Sequence, residues 1–236
     1  MSFNRDIQLD PNRVQTRSGG GRGAMIGGGS ILTVIAVVLI SQLTGVDLSS
    51  MLGAQQQTGT TTSTASSIDT SVCTSGDSAN KYTQCRMVAT AESLDAVWTE
   101  QLPAQAGLKY AKPEFVLWDG TQISSACGNA SSAVGPFYCP GDQTVYLDMS
   151  FFSEMEKSLG ATDTPLAEEY IVAHEFGHHI QHLTGQMAKA DRSGSGATSD
   201  SVRLELQADC YAGIWVNHAS STPDPDTGKP FLNRPS

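Results

Sequence analysis

The feature that most constrains this chain is a histidine-rich stretch, IVAHEFGHHIQHLTG, at residues 171–185. It holds four of the five histidines in a chain of 236 residues, and its other residues are mostly apolar. Thr164 and Pro165 precede it and favour a helix start, because threonine caps free N–H groups and proline fits the first turn. Gly185 favours a helix end. We therefore predict a buried helix between Pro165 and Gly185.

Within this helix the histidine spacing suits a metal ion. His174 and His178 lie four residues apart on one helix face, whereas His179 is turned about 100° away from His178. Glu175 completes the pattern H-E-x-x-H, in which two imidazoles bind zinc and the glutamate acts as a base toward water. The alternative is a core helix whose histidines only form hydrogen bonds, but burying these groups without a metal or partners is costly. His179 and His182 are expected to be packing or surface residues.

The third zinc ligand is expected on a second buried helix, predicted for VRLELQADCYAGIW from Val202 onward. A catalytic zinc usually has three protein ligands and one open position. Glu205 and Asp209 lie four residues apart on one face of this helix. Glu205 is the candidate ligand, and Asp209 would accept a hydrogen bond from the second ring nitrogen of a ligand histidine. Two acidic residues four apart usually mark only a solvated helix face. They indicate a zinc ligand here because they follow the H-E-x-x-H motif.

The two motifs, HEFGHHIQ and then ELQADCYAGIW, resemble those of the neutral zinc metallopeptidases of bacteria, relatives of the gluzincin metalloproteases. The resemblance extends upstream through CGNASSAVGPFYCPGDQTVYLDMSFF and PEFVLW to a Gly- and Arg-rich N-terminus. It implies a zincin-like domain with zinc as its cofactor. The implied zinc ligands are His174, His178 and Glu205, with Glu175 as the catalytic base and Asp209 bonded to a ligand histidine.

The C-terminal residues depart from the family pattern. Family members continue beyond the second helix with a segment that carries another histidine in an F-T-H-G-S-S context. This chain instead ends in STPDPDTGKPFLNRPS. We therefore expect residues 1–236 to be a fragment or a truncated variant.

An uncharged stretch at residues 24–46 contains the apolar run ILTVIAVVLI. About 20 such residues suffice to cross a bilayer, and the arginines of residues 1–23 should stay in the cytoplasm. We therefore predict a cytoplasmic Gly/Arg-rich tail (1–23), a transmembrane signal anchor (24–46), a Ser/Thr/Gln-rich linker (47–72) and an extracytoplasmic metallopeptidase domain (73–236). The predicted location is the bacterial cell envelope. A cleaved signal peptide is the alternative, although LGA at residues 52–54 is a poor cleavage site.

Cysteine usage agrees with an extracytoplasmic domain. Cys73 and Cys85 are twelve residues apart, as are Cys127 and Cys139. No C-x-x-C spacing indicates a cysteine zinc site. Three pairings of these four are possible, and we favour the two local disulfides. Cys210 is left over and is expected to be a small core thiol.

The remaining patterns indicate an α+β domain. Apolar residues recur at helical spacing in CRMVATAESLDAVWTEQL (85–102), and EFVLW (114–118) predicts a strand. The segments GPFYC and TVYLD flank the turn signal PGDQ (140–143) and predict a hairpin. Strands grouped between helices favour an α+β fold. The prediction is a small β-sheet over the HExxH helix, preceded by one transmembrane helix.

Together these features predict a membrane-anchored zinc peptidase with Glu175 as general base. In gluzincin-like enzymes the substrate lies along an edge strand above the active helix. The resemblance therefore assigns a peptide or protein substrate to the edge at residues 130–138. A net charge of −10 without a basic stripe argues against nucleic acid. The alternative function is a catalytically inactive zinc-binding scaffold or interaction module of the envelope.

Overall fold

The computed structural model describes residues 2–19, 68–154, 164–191 and 193–233. Within these ranges the protein has an α+β fold, as predicted. The helices are α1 (Gly76–Lys81), α2 (Thr83–Ala106), α3 (Pro165–Leu183), α4 (Gln186–Lys189) and α5 (Asp200–Ala219). The strands are β1 (Gln15–Gly19), β2 (Glu114–Gly120), β3 (Gln122–Ser125), β4 (Gly128–Ser131), β5 (Phe137–Cys139) and β6 (Thr144–Asp148).

A small sheet of four strands carries the order β1-β2-β6-β5. Strands β1, β2 and β6 run parallel, whereas β5 pairs antiparallel with β6 and forms one edge. Strand β2 is buried on both faces, since Phe115 and Leu117 join the main core while Val116 and Trp118 join a second cluster. Burial on both faces explains why this strand is an unbroken apolar run in the sequence. Strands β3 and β4 form a separate hairpin.

Three long helices cover the main core and set the position of the histidine motif. Helix α3 begins where the sequence predicts, with the Thr164 hydroxyl accepting a hydrogen bond from the Ala167 N–H at 3.2 Å. Helix α2 is joined to α5 by a buried hydrogen bond from Trp215 Nε1 to Ser93 Oγ at 3.1 Å. Helix α2 also packs against α3, so the helices that carry the two motifs, α3 and α5, both contact α2. Helices α3 and α5 also lie against each other.

Helices α3 and α5 approach each other closely at Gly177, the glycine inside the HEFGH motif. A Cβ atom at this position would lie 2.8 Å from the backbone oxygen of Ala208 and 3.0 Å from its Cα. These are backbone atoms, so they cannot move aside without shifting the helix. The glycine therefore allows the contact that brings His174 and His178 next to Glu205.

We expect Gly177→Ala to lower the free energy of unfolding by about 1–3 kcal/mol, because it overpacks the contact between two helices. Gly213→Ala is the matched control, since Gly213 also lies inside a helix but has no atom within 4 Å of an added Cβ. It should raise stability by about 0.5–1 kcal/mol through helix propensity alone. Urea unfolding of both variants measures the difference, and equal effects of the two substitutions would contradict the close contact.

The N-terminal residues 2–19 belong to the same folded body as the histidine motif. Phe3, Ile7, Leu9 and Val14 are buried in the main core, and β1 pairs with β2. Arg13 does not remain free, because its guanidinium forms a buried ion pair with Asp95 of α2 at 2.6 Å. Segments on opposite sides of a membrane cannot share one core. The predicted topology, with a cytoplasmic tail and an extracytoplasmic domain, is therefore wrong.

The predicted transmembrane helix is also not supported. Among the residues that the structure describes, no helix is long and apolar enough to cross a bilayer. The proposed anchor itself, residues 24–46, lies outside the described residues, as does the linker up to residue 67. The predicted orientation of the anchor relied on the arginines of residues 1–23 as a cytoplasmic signal, whereas Arg13 forms a buried ion pair.

Both predicted disulfides are present. Cys73 is bonded to Cys85 and Cys127 to Cys139, with Cα–Cα distances of 4.8 and 5.8 Å. The first bond ties the segment before α1 to the start of α2, and the second ties the β3–β4 hairpin to β5. Cys210 is a free thiol but is exposed on α5, so its prediction as a core residue is wrong. Its position on the helix faces away from the buried stripe that carries Glu205.

Candidate metal centre

Helices α3 and α5 bring the three predicted ligand residues, His174, His178 and Glu205, to one place. One ligand atom from each lies within 4.8 Å of the other two. The Nε2 atoms of the two histidines are 3.2 and 3.4 Å from Oε2 of Glu205. The imidazole rings are nearly perpendicular, with centroids 4.8 Å apart. The predicted helical spacing therefore converges on a single point between the two helices.

The outer ring nitrogen of each histidine is held by a hydrogen bond. His174 Nδ1 lies 2.9 Å from Asp209 Oδ1, and His178 Nδ1 lies 2.9 Å from Gln181 Oε1. The Gln181 amide is oriented because its Nε2 donates to the Leu204 carbonyl at 2.5 Å. Once Nε2 is deprotonated, each imidazole donates through Nδ1 and presents its Nε2 lone pair to the shared point, which is the arrangement found around metal-binding histidines.

The carboxylate of Glu205 fits a cation site. The residue is 1% exposed, and within the described part of the chain its Oε1 atom has no hydrogen-bond partner. Burial opposes its ionisation, but hydrogen bonds from His174 and His178 outweigh burial and lower its pKa to about 2. An ionised, buried oxygen without a partner is costly, and a cation would satisfy it. Two imidazole nitrogens and one carboxylate match the ligand set of a catalytic zinc.

The electrostatics around the two rings favour positive charge. Burial lowers the pKa of His174, but hydrogen bonds to Asp209 and Glu205 dominate and raise it to about 10. Burial likewise opposes protonation of His178, and its contact with Glu205 overcomes that effect and raises its pKa. A metal cation would take the place of these protons, so metal binding should release protons from the site.

Glu175 lies beside the cluster without belonging to it. Its side chain is buried, and burial raises its pKa against the opposing influence of His178 and His174. The backbone N–H of Tyr138, in edge strand β5, is close enough to the Glu175 carboxylate to oppose this rise in pKa. A carboxylate with a raised pKa is better suited to take up and pass on a proton near neutral pH.

The other two histidines of the motif lie on a different side of α3. His179 is fully buried, and its ring nitrogens contact the Ala111 carbonyl at 2.7 Å and the Tyr138 hydroxyl at 3.0 Å. Burial lowers its pKa to about 4. His182 packs its ring near Tyr138 with centroids 6.2 Å apart. Both are packing residues, as expected, and neither contributes an atom to the cluster.

Sequence reasoning missed two residues that contact the site, Gln181 and Tyr138. Gln181 follows His178 by three positions, so its place on the same helix face was a usable signal. Tyr138 lies in a strand far from the motif in sequence. No local pattern reveals its contact with Glu175, because that contact depends on how the sheet packs on the helix.

We expect Gln181→Leu and Asp209→Asn each to weaken zinc affinity by about 10–100-fold, because the first removes the acceptor that orients His178 and the second removes the negative charge of the acceptor that orients His174. Competition with a chromophoric chelator measures the dissociation constants. Gln186→Leu, at an exposed position on α4, is the matched control and should bind zinc like the wild type. Wild-type affinity in both Gln181→Leu and Asp209→Asn would contradict the orienting role.

The sequence matches a known protein family and several curated proteins. A family model described as "Putative neutral zinc metallopeptidase" matches residues 6–226. The Mycobacterium tuberculosis protein Rv2575 is 46% identical over 192 residues, which cover 81% of this chain and 63% of the relative. The Escherichia coli protein YpfJ is 38% identical over 196 residues, which cover 80% of this chain and 62% of the relative.

The chain therefore spans less than two thirds of the length of these curated relatives. Both relatives carry the description "Uncharacterized protein". No solved structure matches the chain. The family match begins in the N-terminal segment, at residue 6, in keeping with the packing of residues 2–19 against the core.

Proposed function

The chain belongs to the neutral zinc metallopeptidase family, and we propose that it is a zinc-dependent peptidase that hydrolyses peptide bonds. The observation that carries this proposal is the convergence of His174, His178 and Glu205 within 4.8 Å, with Glu175 beside them. A zinc-dependent hydrolase needs both a cation site and a nearby base, and these four side chains would supply both.

His174, His178 and Glu205 would hold the zinc ion. Asp209 and Gln181 would fix the imidazole rings so that both Nε2 lone pairs face the ion. Bound zinc would supply Lewis acidity, which makes water more acidic and polarises a carbonyl oxygen.

Glu175 would act as the general base. Its carboxylate would take a proton from water as the water oxygen forms a bond to the peptide carbonyl carbon. It would then return that proton to the leaving nitrogen as the C–N bond breaks. Burial of the side chain limits the positions that the carboxylate can adopt, which would keep it beside the cluster.

A peptide substrate would bind along β5. This strand is an edge of the four-stranded sheet, and its central residue, Tyr138, contacts the general base. Strand addition to such an edge uses backbone hydrogen bonds, so it accepts many sequences. The resemblance assigns the substrate edge to residues 130–138, and of these we propose Phe137 and Tyr138 of β5, since β4 pairs with β3 in a separate hairpin.

The proposal is tested by incubating the full chain, loaded with zinc, with a mixed peptide library and identifying products by mass spectrometry. Hydrolysis products should appear with the wild type. They should be absent with His178→Ala, which lacks one proposed zinc ligand. Equal product formation by both proteins would contradict the proposal, and so would the absence of products from a zinc-loaded wild type. The second result would favour the zinc-binding scaffold instead.

A further inference from the structure

We propose that His179 is a positioning residue, which holds edge strand β5 in place over α3 by accepting a hydrogen bond from the Tyr138 hydroxyl. The role of β5 in binding peptide rests on the proposed function above. The hydrogen bonds themselves do not, so the proposal has consequences that are measurable without any peptide.

The histidine motif contains two pairs of residues that are four positions apart on α3. His174 and His178 face Glu205 of α5. Glu175 and His179 instead both contact Tyr138 of β5. Each pair is offset from the other by one residue, or about 100° around the helix. The adjacent residues His178 and His179 therefore contact different elements: His178 contacts α5, and His179 contacts β5.

The hydrogen bonds of His179 fix the role of each ring nitrogen. The Ala111 carbonyl, 2.7 Å from Nε2, can only accept, so Nε2 carries the proton. In the neutral ring Nδ1 is then an acceptor, and the Tyr138 hydroxyl, 3.0 Å away, donates to it. The side chain is 0% exposed, so water does not compete for these bonds. His179 thereby connects the segment before β2 to β5.

Tyr138 is the middle residue of β5, which is only three residues long and pairs on one side alone. A short edge strand has few ladder hydrogen bonds to fix its position. Tyr138 adds two contacts to α3, one from its hydroxyl to His179 and one from its backbone N–H to Glu175. The hydroxyl bond to His179 therefore adds a fixed connection between strand and helix that the short ladder does not supply.

This arrangement links the edge strand to the general base. A peptide paired with β5 takes its position from that strand, and Glu175 must lie within hydrogen-bond reach of the attacking water. A displacement of about 1 Å between reacting groups can cost about 100-fold in rate. Loss of the His179–Tyr138 bond should therefore lower kcat more than it changes KM, and should leave zinc affinity unchanged.

The test compares Tyr138→Phe and His179→Leu with wild type in the zinc-loaded full chain. Tyr146→Phe is the matched control, because Tyr146 is a buried tyrosine of the adjacent strand whose hydroxyl bonds Asp142 and not α3. Amide hydrogen exchange at Tyr138 is the first readout. It should accelerate about tenfold in both test variants, the factor expected for one lost hydrogen bond. It should not change in Tyr146→Phe.

The second readout is peptide cleavage, with kcat expected to fall about 10–100-fold in both test variants while zinc affinity stays at the wild-type value. His179→Gln should restore part of the loss, because its amide carries both a donor and an acceptor. Unchanged Tyr138 exchange in Tyr138→Phe would overturn the proposal, even if His179→Leu fails to fold. Changed exchange in a protein that cleaves no peptide would uphold the positioning role and refute the peptidase function.

Discussion

Replacement of Glu175 by glutamine is expected to lower kcat/KM for peptide cleavage by about 10²–10⁴-fold, while zinc content stays the same. Glu175 is not one of the residues whose ligand atoms converge, so the cation site is intact in the variant. Glutamine has nearly the same size, and its amide oxygen can still face the Tyr138 N–H. Its amide cannot take up a proton from water. Steady-state cleavage of a library-derived peptide, with zinc measured on the same sample, checks the result.

Because Glu175→Gln keeps the size of the side chain, its melting temperature shows whether a loss of activity comes from misfolding or from the missing base. A melting temperature equal to or above that of the wild type is expected, since the glutamine avoids the cost of burying a charge. If cleavage persisted at the wild-type rate in Glu175→Gln, Glu175 would not be the base. If both proteins were inert but bound zinc equally, the scaffold function would replace the enzyme.

The second large effect is expected at the metal ligands. His174→Ala, His178→Ala and Glu205→Gln should each abolish tight zinc binding, because each removes a ligand group, or the charge of one, from the three that lie within 4.8 Å of one another. Glutamine at position 205 keeps the side-chain size but loses the charge that pairs with the cation. Zinc per chain after dialysis against a weak chelator is the measurement.

The matched control for these variants is His182→Ala. His182 lies on the same helix, and its ring packs near Tyr138 instead of Glu205. It should retain about one zinc ion per chain, the wild-type value for a single three-ligand site. Zinc loss in His182→Ala together with retention in His178→Ala would show that the assignment of helix faces is wrong.

Helical periodicity explains why most of the candidate site was predictable. His174 and His178 share a face because they are four residues apart, and Glu205 is one of two acidic residues on one face of a second apolar helix. The structure adds Gly177, whose missing side chain lets that helix approach. The position of Asp209 beside His174 follows from the same spacing, one turn beyond Glu205.

The failures of sequence reasoning concern contacts between distant segments. Residues 2–19 resemble a solvated tail because their apolar residues are sparse, yet Phe3 and Ile7 are buried against helices and loops from elsewhere in the chain. Tyr138 contacts Glu175 only because β5 lies over α3. Cys210 was assigned to the core from its apolar neighbours, whereas its angle around α5 exposes it. The first two errors concern tertiary packing, which local patterns do not encode, whereas the angle of Cys210 around α5 follows from helical periodicity.

The most direct test of the central claim is cleavage activity during removal and return of zinc. Zinc is removed from the wild-type chain with a strong chelator, the chelator is dialysed away, and zinc is added back in steps while peptide cleavage is followed. We expect activity to vanish with the metal and to return linearly up to about one zinc ion per chain, with no recovery in His178→Ala. Undiminished cleavage by protein confirmed to be free of metal would contradict the zinc-dependent mechanism and the site proposed for it.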